Sequence, residues 1–526
     1  MIRINNVKKE YGVKTVFEIN QLTINPKDKI ALIGENGSGK TTFANILAGL
    51  DEEYTGSIET SLVIEKLDWA NEGIVSNQAY SRMNLNPGDH LSPGQRYQLI
   101  LLSYLEKRDS YLILDEPSSH LDFEAKDFFI ELLQEREYGF LLISHDRDFI
   151  QETCHKVIEI EDGRFDVYNG DYALYLEEKK RHRHFEEREY ENYQEELNRL
   201  QGVVRQIEGK SASIKSQPKR YGNSEARLHK MGGQSSKKKL DNQVKAVKSR
   251  IDQLEVKKKP RVASQVRIDI PSQNQIEAKV LIEGKDVSKA FGDNVVFEQA
   301  NFTIRNHTKV ALLGENGSGK TTLLNMILDG EDIAKHPRLK IGYFSQLNET
   351  LDVDADIYTN VMSTSMEEEH ITRIILDRFG LGTSMLNKKV RVLSDGERAK
   401  VKLTKLLTSG FNFLMFDEPT NHLDIYTIEA LEGLLVAYQG PILFVSHDRR
   451  FVDQVADHLL IIEDKKIRMV QGKLREVDRP VESSEDKLLV DFRIAYITSA
   501  LAGEIPSEER VRLMEELDQL QKKKSE

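Results

Sequence analysis

Cysteine and long apolar runs are both scarce in this chain of 526 residues. Its single cysteine, Cys154, excludes an internal disulfide and a cysteine-rich metal site, and we expect it to be a small buried apolar residue. The longest apolar runs, such as residues 459–462, are far shorter than the roughly 20 residues of a membrane-spanning helix. The first residues also lack the basic and then apolar pattern of a secretory signal. These absences predict a protein of the reducing cytoplasm without a membrane domain.

Basic residues are unevenly spread along an acidic chain. The net charge is −12, yet sixteen Lys or Arg face five Asp or Glu between Arg205 and Lys259. This local excess of +11 leaves −23 for the rest of the chain. A charge run is usually the solvated face of a helix, but a one-sided excess favours a polyanionic partner. We therefore expect this segment to bind nucleic acid.

One segment is repeated letter for letter 280 positions further along, at residues 34–42 and 314–322. Each copy fits the phosphate-binding pattern G-x-x-x-x-G-K-[ST], in which backbone N–H groups and a lysine meet the phosphates and a hydroxyl holds Mg²⁺. Each copy also lies between a predicted strand and a predicted helix, as such a loop requires. The expected ATP-binding residues are Gly34, Glu35, Asn36, Gly37, Ser38, Gly39, Lys40, Thr41 and Thr42, and Gly314, Glu315, Asn316, Gly317, Ser318, Gly319, Lys320, Thr321 and Thr322.

Acidic and histidine motifs recur in the same order in both halves. Apolar strands predicted at residues 111–114 and 413–416 each end in an aspartate and a glutamate, and a buried strand has no other reason to end in two acids. The aspartates would support Mg²⁺ and the glutamates would polarise the attacking water, while a histidine after the next strand would touch the γ phosphate. The expected catalytic residues are Glu116, Glu418, His145 and His447. The expected metal ligands are Thr41, Asp115, Thr321 and Asp417.

Short glycine-bearing turns precede a predicted helix at residues 91–95 and 393–397, and loops at 118–122 and 420–424 follow the acidic strands. Together with the repeated loops, these motifs resemble those of ATP-binding cassette domains. In that family two domains pair head to tail around two ATP molecules. The resemblance implies that cofactor ATP with Mg²⁺ is enclosed by both halves.

The resemblance assigns further residues to each ATP. Ser92 and Gly94 would close over the ATP held by Lys320, while Ser394 and Gly396 would close over the ATP held by Lys40. A helix N-terminus presented to a phosphate in this way is a good clamp. Tyr11 and Phe291 match the aromatic residue that stacks on adenine in such proteins.

Two departures predict unequal ATP sites. The family's metal-contacting glutamine is matched by Gln346 in the second half, whereas the first half has residues 63–66 there, ending in Lys66. An ammonium only donates hydrogen bonds, so Lys66 cannot replace an amide oxygen as a metal ligand. Pro93 also removes a backbone donor near the start of the helix that follows the first glycine-bearing turn, where a proline is tolerated. We expect both sites to hydrolyse ATP at different rates.

Between the two halves, two stretches have apolar residues at heptad spacing, which predicts an antiparallel helical hairpin. Proline and glycines between residues 209 and 236 interrupt the helices and form a tip. A hairpin could simply space the domains, but a spacer needs no cationic end. The seam residues are Tyr190, Tyr193, Leu197, Leu200, Val204 and Ile207, and then Leu240, Val244, Val247, Ile251 and Leu254.

Tandem cassettes, a charged helical linker and the lead-in at residues 168–172 resemble the ABC-F branch of the family. That resemblance implies binding to the ribosome at the tRNA exit site, with the linker directed at the peptidyl-transferase centre. It also implies a monomer away from the ribosome, since the cassettes pair within one chain. The residues expected to contact ribosomal RNA and tRNA are Lys215, Lys219, Arg220, Arg227, Lys230, Lys237, Lys238 and Lys239.

Within this branch, the short stretch from Thr42 to Leu91 leaves no room for the arm insertion of the translational-throttle type. The missing arm, the long linker and a helical tail resemble the antibiotic-resistance members of the Vga and Lsa type. Ribosome protection is therefore the favoured reading. A housekeeping ABC-F translation factor and an ATPase subunit that energises a separate membrane transporter remain alternatives, and the hairpin argues against the second.

The predicted fold is α/β, with two P-loop cassettes joined by an antiparallel helical hairpin and followed by a short helical extension. The expected boundaries are residues 1–176 for the first cassette, 177–275 for the linker, 276–480 for the second cassette and 481–526 for the extension.

Overall fold

The structure, a computed structural model, describes residues 1–12, 14–71, 74–83, 85–87, 91–107, 109–119, 121–213, 233–257, 274–292, 294–345, 351–421 and 423–477. Within these residues it confirms the α/β fold with two cassettes and a helical hairpin between them. The predicted extension at residues 481–526 and the hairpin tip at residues 214–232 lie outside the described residues.

The first cassette contains two sheets. An antiparallel sheet has the strand order β2-β1-β4, and a six-stranded sheet has the order β5-β6-β7-β3-β8-β9, parallel except for its last pair. The strands are β1 (Ile2–Tyr11), β2 (Lys14–Ile24), β3 (Lys29–Gly34), β4 (Thr55–Thr60), β5 (Ile64–Lys66), β6 (Tyr111–Asp115), β7 (Phe140–Ile143), β8 (Lys156–Glu161) and β9 (Arg164–Asn169). The helices are α1 (Lys40–Leu47), α2 (Asn77–Arg82), α3 (Pro93–Leu105), α4 (Phe123–Glu135) and α5 (Arg147–Thr153).

The hairpin and the second cassette follow. The hairpin helices are α6 (Tyr172–Ser213) and α7 (Gly233–Asp252). The strands of the second cassette are β10 (Val280–Phe291), β11 (Asn294–Arg305), β12 (Lys309–Leu313), β13 (Ile333–Lys335), β14 (Ile341–Phe344), β15 (Phe413–Asp417), β16 (Ile442–Val445), β17 (His458–Glu463) and β18 (Lys466–Gln471). Its helices are α8 (Lys320–Asp329), α9 (Ile357–Met362), α10 (Glu369–Arg378), α11 (Asp395–Thr408), α12 (Ile425–Ala437), α13 (Arg449–Val455) and α14 (Leu474–Val477). Its sheets repeat the order of the first cassette, as β11-β10-β13 and β14-β15-β16-β12-β17-β18.

The central strands are apolar throughout because both faces of the parallel sheets are covered. Ile30, Ala31, Leu32 and Ile33 of β3 are all at most 2% exposed. This continuous apolar run is typical of a strand buried on both sides. Since the carboxyl ends of parallel strands meet at one edge of the sheet, the loops after β3, β6 and β7 lie together there.

The cassettes differ in the segment between the P loop and the acidic strand. Lys40 and Asp115 are 75 positions apart, whereas Lys320 and Asp417 are 97 positions apart. In the second cassette α9 and α10 lie in this interval, and they pack with α11 around a separate apolar cluster that includes Ile357, Leu376 and Val401. The first cassette is therefore the more compact of the two, as its short interval predicts.

The hairpin stem has the predicted heptad seam. All eleven seam residues are buried or half-buried in the structure, with Leu200, Val204 and Val244 at most 8% exposed. Helix α6 contains 42 residues, which at about 1.5 Å per residue gives a length of about 63 Å. Gly209, which we expected in the interruption, lies inside this helix, so the first arm is longer than the sequence pattern predicts.

A buried glutamate joins the base of the arm to both cassettes. The Glu159 side chain on β8 is fully buried, and it accepts hydrogen bonds from Tyr175 Oη at 3.1 Å and Lys179 Nζ at 2.9 Å, both on α6. It also accepts a hydrogen bond from Tyr426 at the start of α12 in the second cassette. Since a buried carboxylate is costly without partners, these contacts hold the arm to the cassette interface.

Charged residues meet at the centre of that interface. The Arg147 guanidinium, 1% exposed, forms a bidentate ion pair with Glu432 of the opposite cassette and lies 3.4 Å from Asp448 Oδ2. Arg449 makes the reciprocal pair with Asp127, with two N–O distances of 2.7 Å. Burial, followed by the charges of Asp146 and Asp448, raises the pKa of the nearby Asp148 to about 6.

The stem seam yields a stability prediction. Leu200→Ala removes a buried side chain and should cost about 2–5 kcal/mol of local stability. At about 1.4 kcal/mol per tenfold change, amide hydrogens of α6 and α7 should exchange at least about 25-fold faster. Hydrogen exchange followed by mass spectrometry measures this change. Gln201→Ala, at an exposed position, is the matched control. Unchanged protection of the stem in Leu200→Ala would contradict the packing described above.

The raised pKa of Asp148 yields a pH-dependent prediction. In the folded protein this carboxyl binds its proton more tightly than in the unfolded chain, where its pKa is about 3.9. Its contribution to stability is therefore complete below about pH 4 and is lost as the pH rises through about 6. Asp148→Asn avoids that loss and should raise the melting temperature by roughly 2–4 °C at about pH 8, and by less at about pH 5. Asp166→Asn, at an exposed position, is the control; a lower melting temperature for Asp148→Asn at about pH 8 would refute the sign.

Candidate active site

Both P loops have the shape that a phosphate requires. Lys40 Nζ donates to the carbonyl oxygens of Gly34 at 2.8 Å and Glu35 at 3.0 Å, and Lys320 repeats these contacts at 2.7 and 2.9 Å. Burial lowers the pKa of both lysines. Each ammonium is thus held inside its loop, where a bound anion would stabilise its positive charge.

Two further observations on the loops fit a bound phosphate. The Oγ atoms of Ser38 and Ser318 are buried and have no hydrogen-bond partner among the described residues, so a phosphate oxygen would satisfy them. Gly39 has φ 100°, and a Cβ there would lie 2.8 Å from Val16 Cγ1, so only glycine fits. The loops follow β3 and β12 and lead into α1 and α8, whose N-termini attract anions.

The two glutamates that follow the acidic strands adopt an unusual backbone conformation. Glu116 has φ 50° and Glu418 has φ 49°, in the left-handed region that is rare for side-chain-bearing residues. Their backbone N–H groups donate to Ile143 and Val445 at the ends of the neighbouring strands β7 and β16. Strain of this kind tends to be retained at functional sites, where it directs a side chain toward the reaction.

Each glutamate faces the histidine predicted for the same site. His145 Nε2 lies 3.5 Å from Glu116 Oε1, and His447 Nε2 lies 3.3 Å from Glu418 Oε1. Burial, reinforced by Asp115, raises the pKa of Glu116 to about 8. Burial raises the pKa of Glu418 to about 7, although Lys320 opposes it, and burial lowers the pKa of His447 to about 3. The geometry pairs one carboxyl group with one imidazole at the edge of each sheet.

The residues expected to hold Mg²⁺ are arranged differently in the two halves. In the second half, Thr321 Oγ1 donates to Asp417 Oδ2 at 3.2 Å, so the expected hydroxyl and carboxylate are already adjacent. In the first half, Lys66 Nζ lies 3.7 Å from Asp115 Oδ2 and donates to Asn45 Oδ1 at 2.6 Å. A cation next to Asp115 weakens the attraction of that carboxylate for a metal ion.

The sheet register corrects the position assigned to Lys66. Lys66 pairs with Ile113 of β6, and the residue of β14 at the same register is Tyr343, which pairs with Met415 of β15. Tyr343 Oη lies 3.5 Å from Asp417 Oδ2, as Lys66 lies near Asp115. Counting along the sequence from this register makes Trp69, not Lys66, the equivalent of Gln346 in the first half, so our alignment of these residues was wrong by three positions. The first half still lacks the glutamine, while Gln346 itself lies outside the described residues.

Each glycine-bearing turn begins a helix, and the first of them lies beside the P loop of the opposite cassette. Ser92 and Ser394 cap α3 and α11, and each accepts a hydrogen bond from the backbone N–H of the third helical residue. A Cβ built on Gly94 would lie 3.8 Å from Nδ2 of Asn316, which places the first turn beside the second P loop. The first turn therefore lies close to the second P loop, as a head-to-tail arrangement requires.

Two aspartates that we had not assigned a role make the reciprocal contacts between cassettes. Asp122 Oδ2 accepts a hydrogen bond from the Asn316 backbone at 3.2 Å, and Asp424 Oδ2 accepts one from the Asn36 backbone at 3.4 Å. Both aspartates follow a repeated His-Leu pair after the acidic strand. That repetition could have indicated that the two aspartates have a role. It could not have identified their partners, which lie 194 and 388 positions away in the sequence.

Several of the other predicted site residues that the structure describes are exposed. Tyr11 and Phe291 end β1 and β10 and are 56% and 58% exposed, with Lys9 Nζ 4.9 Å and Lys289 Nζ 5.8 Å from the respective ring centres. Lys237, Lys238 and Lys239 are exposed on α7. The other expected RNA-contacting residues, Lys215, Lys219, Arg220, Arg227 and Lys230, lie outside the described residues. None of the described helices is both long and apolar enough to cross a membrane.

Comparison with known proteins agrees with this geometry. A family model described as "ABC transporter" matches residues 17–75 and 297–421, and a second model with the same description matches residues 158–269. The ribosome protection protein VmlR of Bacillus subtilis is 30% identical over 491 residues, which cover 89% of this chain and 87% of that protein. The erythromycin resistance ATP-binding protein MsrA of Staphylococcus epidermidis is 30% identical over 474 residues, covering 87% and 96%.

A solved structure of an RNase-L inhibitor shares the fold, with a TM-score of 0.58, 17% identity and coverage of 90% of this chain and 91% of that one. The first family model covers both P loops and the acidic pair Asp417 and Glu418, and the second covers both helices of the stem. The sequence relatives extend over nearly the whole chain. This protein is an ATPase that belongs to the ATP-binding cassette family, in its ABC-F branch.

Proposed function

We propose that this protein binds the ribosome in its ATP-bound form and protects the peptidyl-transferase centre from antibiotics through its helical hairpin. The observation that carries the proposal is a stem about 63 Å long, by the rise of an α-helix, placed between two cassettes that face each other head to tail. A spacer between domains would need neither this length nor the basic residues along its second helix. The names of VmlR and MsrA, a ribosome protection protein and an erythromycin resistance protein, point to the same activity.

The charge of the hairpin supports an RNA partner. Lys237, Lys238 and Lys239 are exposed at the tip end of α7, while the chain as a whole carries a net charge of −12. An acidic protein is repelled by ribosomal RNA except where such a cluster faces it. We propose that the tRNA exit site receives the protein and that the tip reaches ribosomal RNA and the acceptor end of the adjacent tRNA. The compact first cassette favours protection over a throttle-type housekeeping role.

In the proposed cycle, two ATP molecules hold the cassettes together and hydrolysis releases them. Glu116 and Glu418 would each take a proton from the attacking water, with His145 and His447 beside them at the γ phosphate. Mg²⁺ would neutralise phosphate charge when held by Thr321, Asp417 and Gln346 in one site and by Thr41 and Asp115 in the other. The Glu159 junction supports transmission to the arm, because Tyr426 lies two residues after Asp424, which contacts the P loop of Lys40.

The roles of the glutamates are tested by ATPase measurements. Glu116→Gln and Glu418→Gln should each lower the steady-state rate, and the double variant should lower it by at least about 100-fold, because an amide cannot accept the proton. Glu131→Gln, an exposed position on α4, is the control and should leave the rate unchanged. Single variants with the unmodified rate would show that the glutamates do not act as bases.

Ribosome binding is tested by co-sedimentation. The Glu116→Gln/Glu418→Gln variant with ATP should sediment with ribosomes and should be released when ATP is replaced by ADP. Replacing Lys237, Lys238 and Lys239 with Gln should weaken binding and reduce the slope of log affinity against log salt by about 2 to 3. Replacing the exposed Lys285, Lys388 and Lys389 of the second cassette is the matched control.

Two outcomes decide between the candidate functions. No co-sedimentation of the double variant at low salt would remove the ribosomal function and favour an ATPase subunit for a separate membrane partner. Binding without any change in the drug susceptibility of ribosomes, compared with a chain that lacks residues 214–232, would favour a housekeeping translation factor.

A further inference from the structure

One lysine of the first cassette contacts two turns that belong to different ATP sites, the His145 turn after β7 and the His447 turn after β16. Lys126 lies on α4, one helical turn after Asp122, and its side chain is 10% exposed. Its ammonium donates to the Asp146 carboxylate of its own cassette. The same ammonium donates to the backbone carbonyl of His447 in the second cassette at 2.6 Å. A single cation therefore joins Asp146 and His447, which are 301 positions apart in the sequence.

Both partners of Lys126 belong to the chemistry of an ATP site. Asp146 directly follows His145, and its other carboxylate oxygen caps α5 by accepting from Phe149 N at 3.1 Å. His447 lies with Nε2 at 3.3 Å from Glu418, and its backbone N–H donates to the same glutamate at 3.4 Å. Holding the carbonyl of His447 therefore also holds the imidazole beside Glu418.

Further side chains of α4 in the first cassette contact the turn that carries His447. The Phe123 ring packs edge-on against the His447 imidazole, with ring centroids 5.9 Å apart. The Arg449 guanidinium lies 5.2 Å from the centre of the Phe123 ring and pairs with Asp127. The turn that carries His447 is thus held in place by residues of the opposite cassette.

The reciprocal position in the second cassette carries no charge. Asp122 and Asp424 occupy equivalent places, so the counterpart of Lys126, four residues later, is Ile428. Ile428 is 1% exposed and belongs to the apolar core of the second cassette. The His145 turn therefore lacks the equivalent cationic contact from this position of α12.

We propose that Lys126 is a positioning residue for hydrolysis at the site of Lys320 and Glu418, and that it makes this site depend on closure of the cassettes. The His447 carbonyl has this donor only while α4 lies against the second cassette. When the cassettes separate, the imidazole loses a fixed position beside Glu418, and the geometry required for attack by water is lost. At the site of Lys40 and Glu116, closure acts through a different contact, the ion pair of Arg147 with Glu432 on α12, and Ile428 stands at the position of Lys126. This difference gives the two sites different roles in the cycle.

Steady-state kinetics of substitutions at Lys126 test the proposal. Lys126→Met keeps most of the side-chain volume and removes the charge. It should lower kcat for ATP hydrolysis by about 10-fold at the site of Lys320 and Glu418. The KM for ATP should change by less than about twofold, because the ammonium positions the His447 turn and does not bind the nucleotide. Lys126→Arg, which can still donate to both partners, should restore most of the rate. Ile428→Met, at the equivalent position, is the matched control.

The two glutamate variants assign the effect to one site. In the Glu116→Gln background, where turnover comes from the Lys320 site, Lys126→Met should reduce kcat strongly. In the Glu418→Gln background it should change kcat by less than about twofold. The His145 turn loses only the ion pair at Asp146 and keeps the hydrogen bonds from Phe149 N to the Asp146 carboxylate and from Asp146 N to Ser144 Oγ. Lys126→Leu, which likewise removes the donor, replaces Lys126→Met if melting curves show that the latter is unfolded.

Three results would overturn the proposal. Equal losses of kcat in both backgrounds would show that Lys126 acts only on the interface as a whole. No restoration by Lys126→Arg would show that the donated hydrogen bonds are not the cause. If Lys126→Met alone and Ile428→Met alone both have the kcat of the unmodified chain, the contact of Lys126 has no part in hydrolysis.

Discussion

Each P loop in this protein receives a hydrogen bond acceptor from the opposite cassette, and the rest of the arrangement depends on this exchange. Asp122 reaches the backbone of Asn316, and Asp424 reaches the backbone of Asn36. Because these carboxylates sit just before the N-termini of α4 and α12, the two helices are drawn into the interface as well. Arg147 then pairs with Glu432, and Lys126 with the His447 carbonyl. Neither cassette alone contains a complete set of these contacts.

The same interface has an unequal distribution of charge. Lys66 stands beside Asp115 in the first site, where Tyr343 stands beside Asp417 in the second. Lys126 reaches the histidine turn of the second site, whereas Ile428 occupies the equivalent place for the first. Identical P loops are thus embedded in different surroundings, and the differences arise from single residues at matched positions. The buried Glu159 junction extends the influence of the interface to the arm, because it bonds α6 and α12 together.

The features that could be predicted from sequence are those with a local signal. The P loops are marked by glycines and a lysine at fixed spacing, the acidic strands by an apolar run that ends in two acids, and the stem by a heptad seam. The ends of helices have a weaker local signal. Glycine favours an interruption, yet α6 continues through Gly209, and beyond it the buried Ser211 donates a hydrogen bond to Asp241 of α7. Lys66 was assigned to the wrong position because an apolar run does not reveal register, which the pairing of Lys66 with Ile113 determines.

Contacts between distant segments were not predictable in this way. Lys126 and His447 are 321 positions apart, and Tyr426 and Glu159 are 267 apart, so no spacing links either pair. Lys126, Tyr426 and Glu159 each resemble an ordinary surface or core residue in the sequence, since a lysine in an amphipathic helix, for example, is usually solvated. Their roles follow from where the cassette interface forms. The sequence predicts the parts of the two sites, while the interface determines how they are coupled.

The central claim is that ATP closes the cassettes into the arrangement described above. A distance measured between paired spin labels at Leu50→Cys and Val392→Cys tests it most directly. Leu50 and Val392 are 71% and 67% exposed, and the single native thiol, Cys154, is buried and can be replaced by serine. In the Glu116→Gln/Glu418→Gln chain, ATP should give one narrow distance distribution at the separation in this structure, and ADP should give a longer and broader one. The same distribution with ATP, with ADP and without nucleotide would contradict the claim.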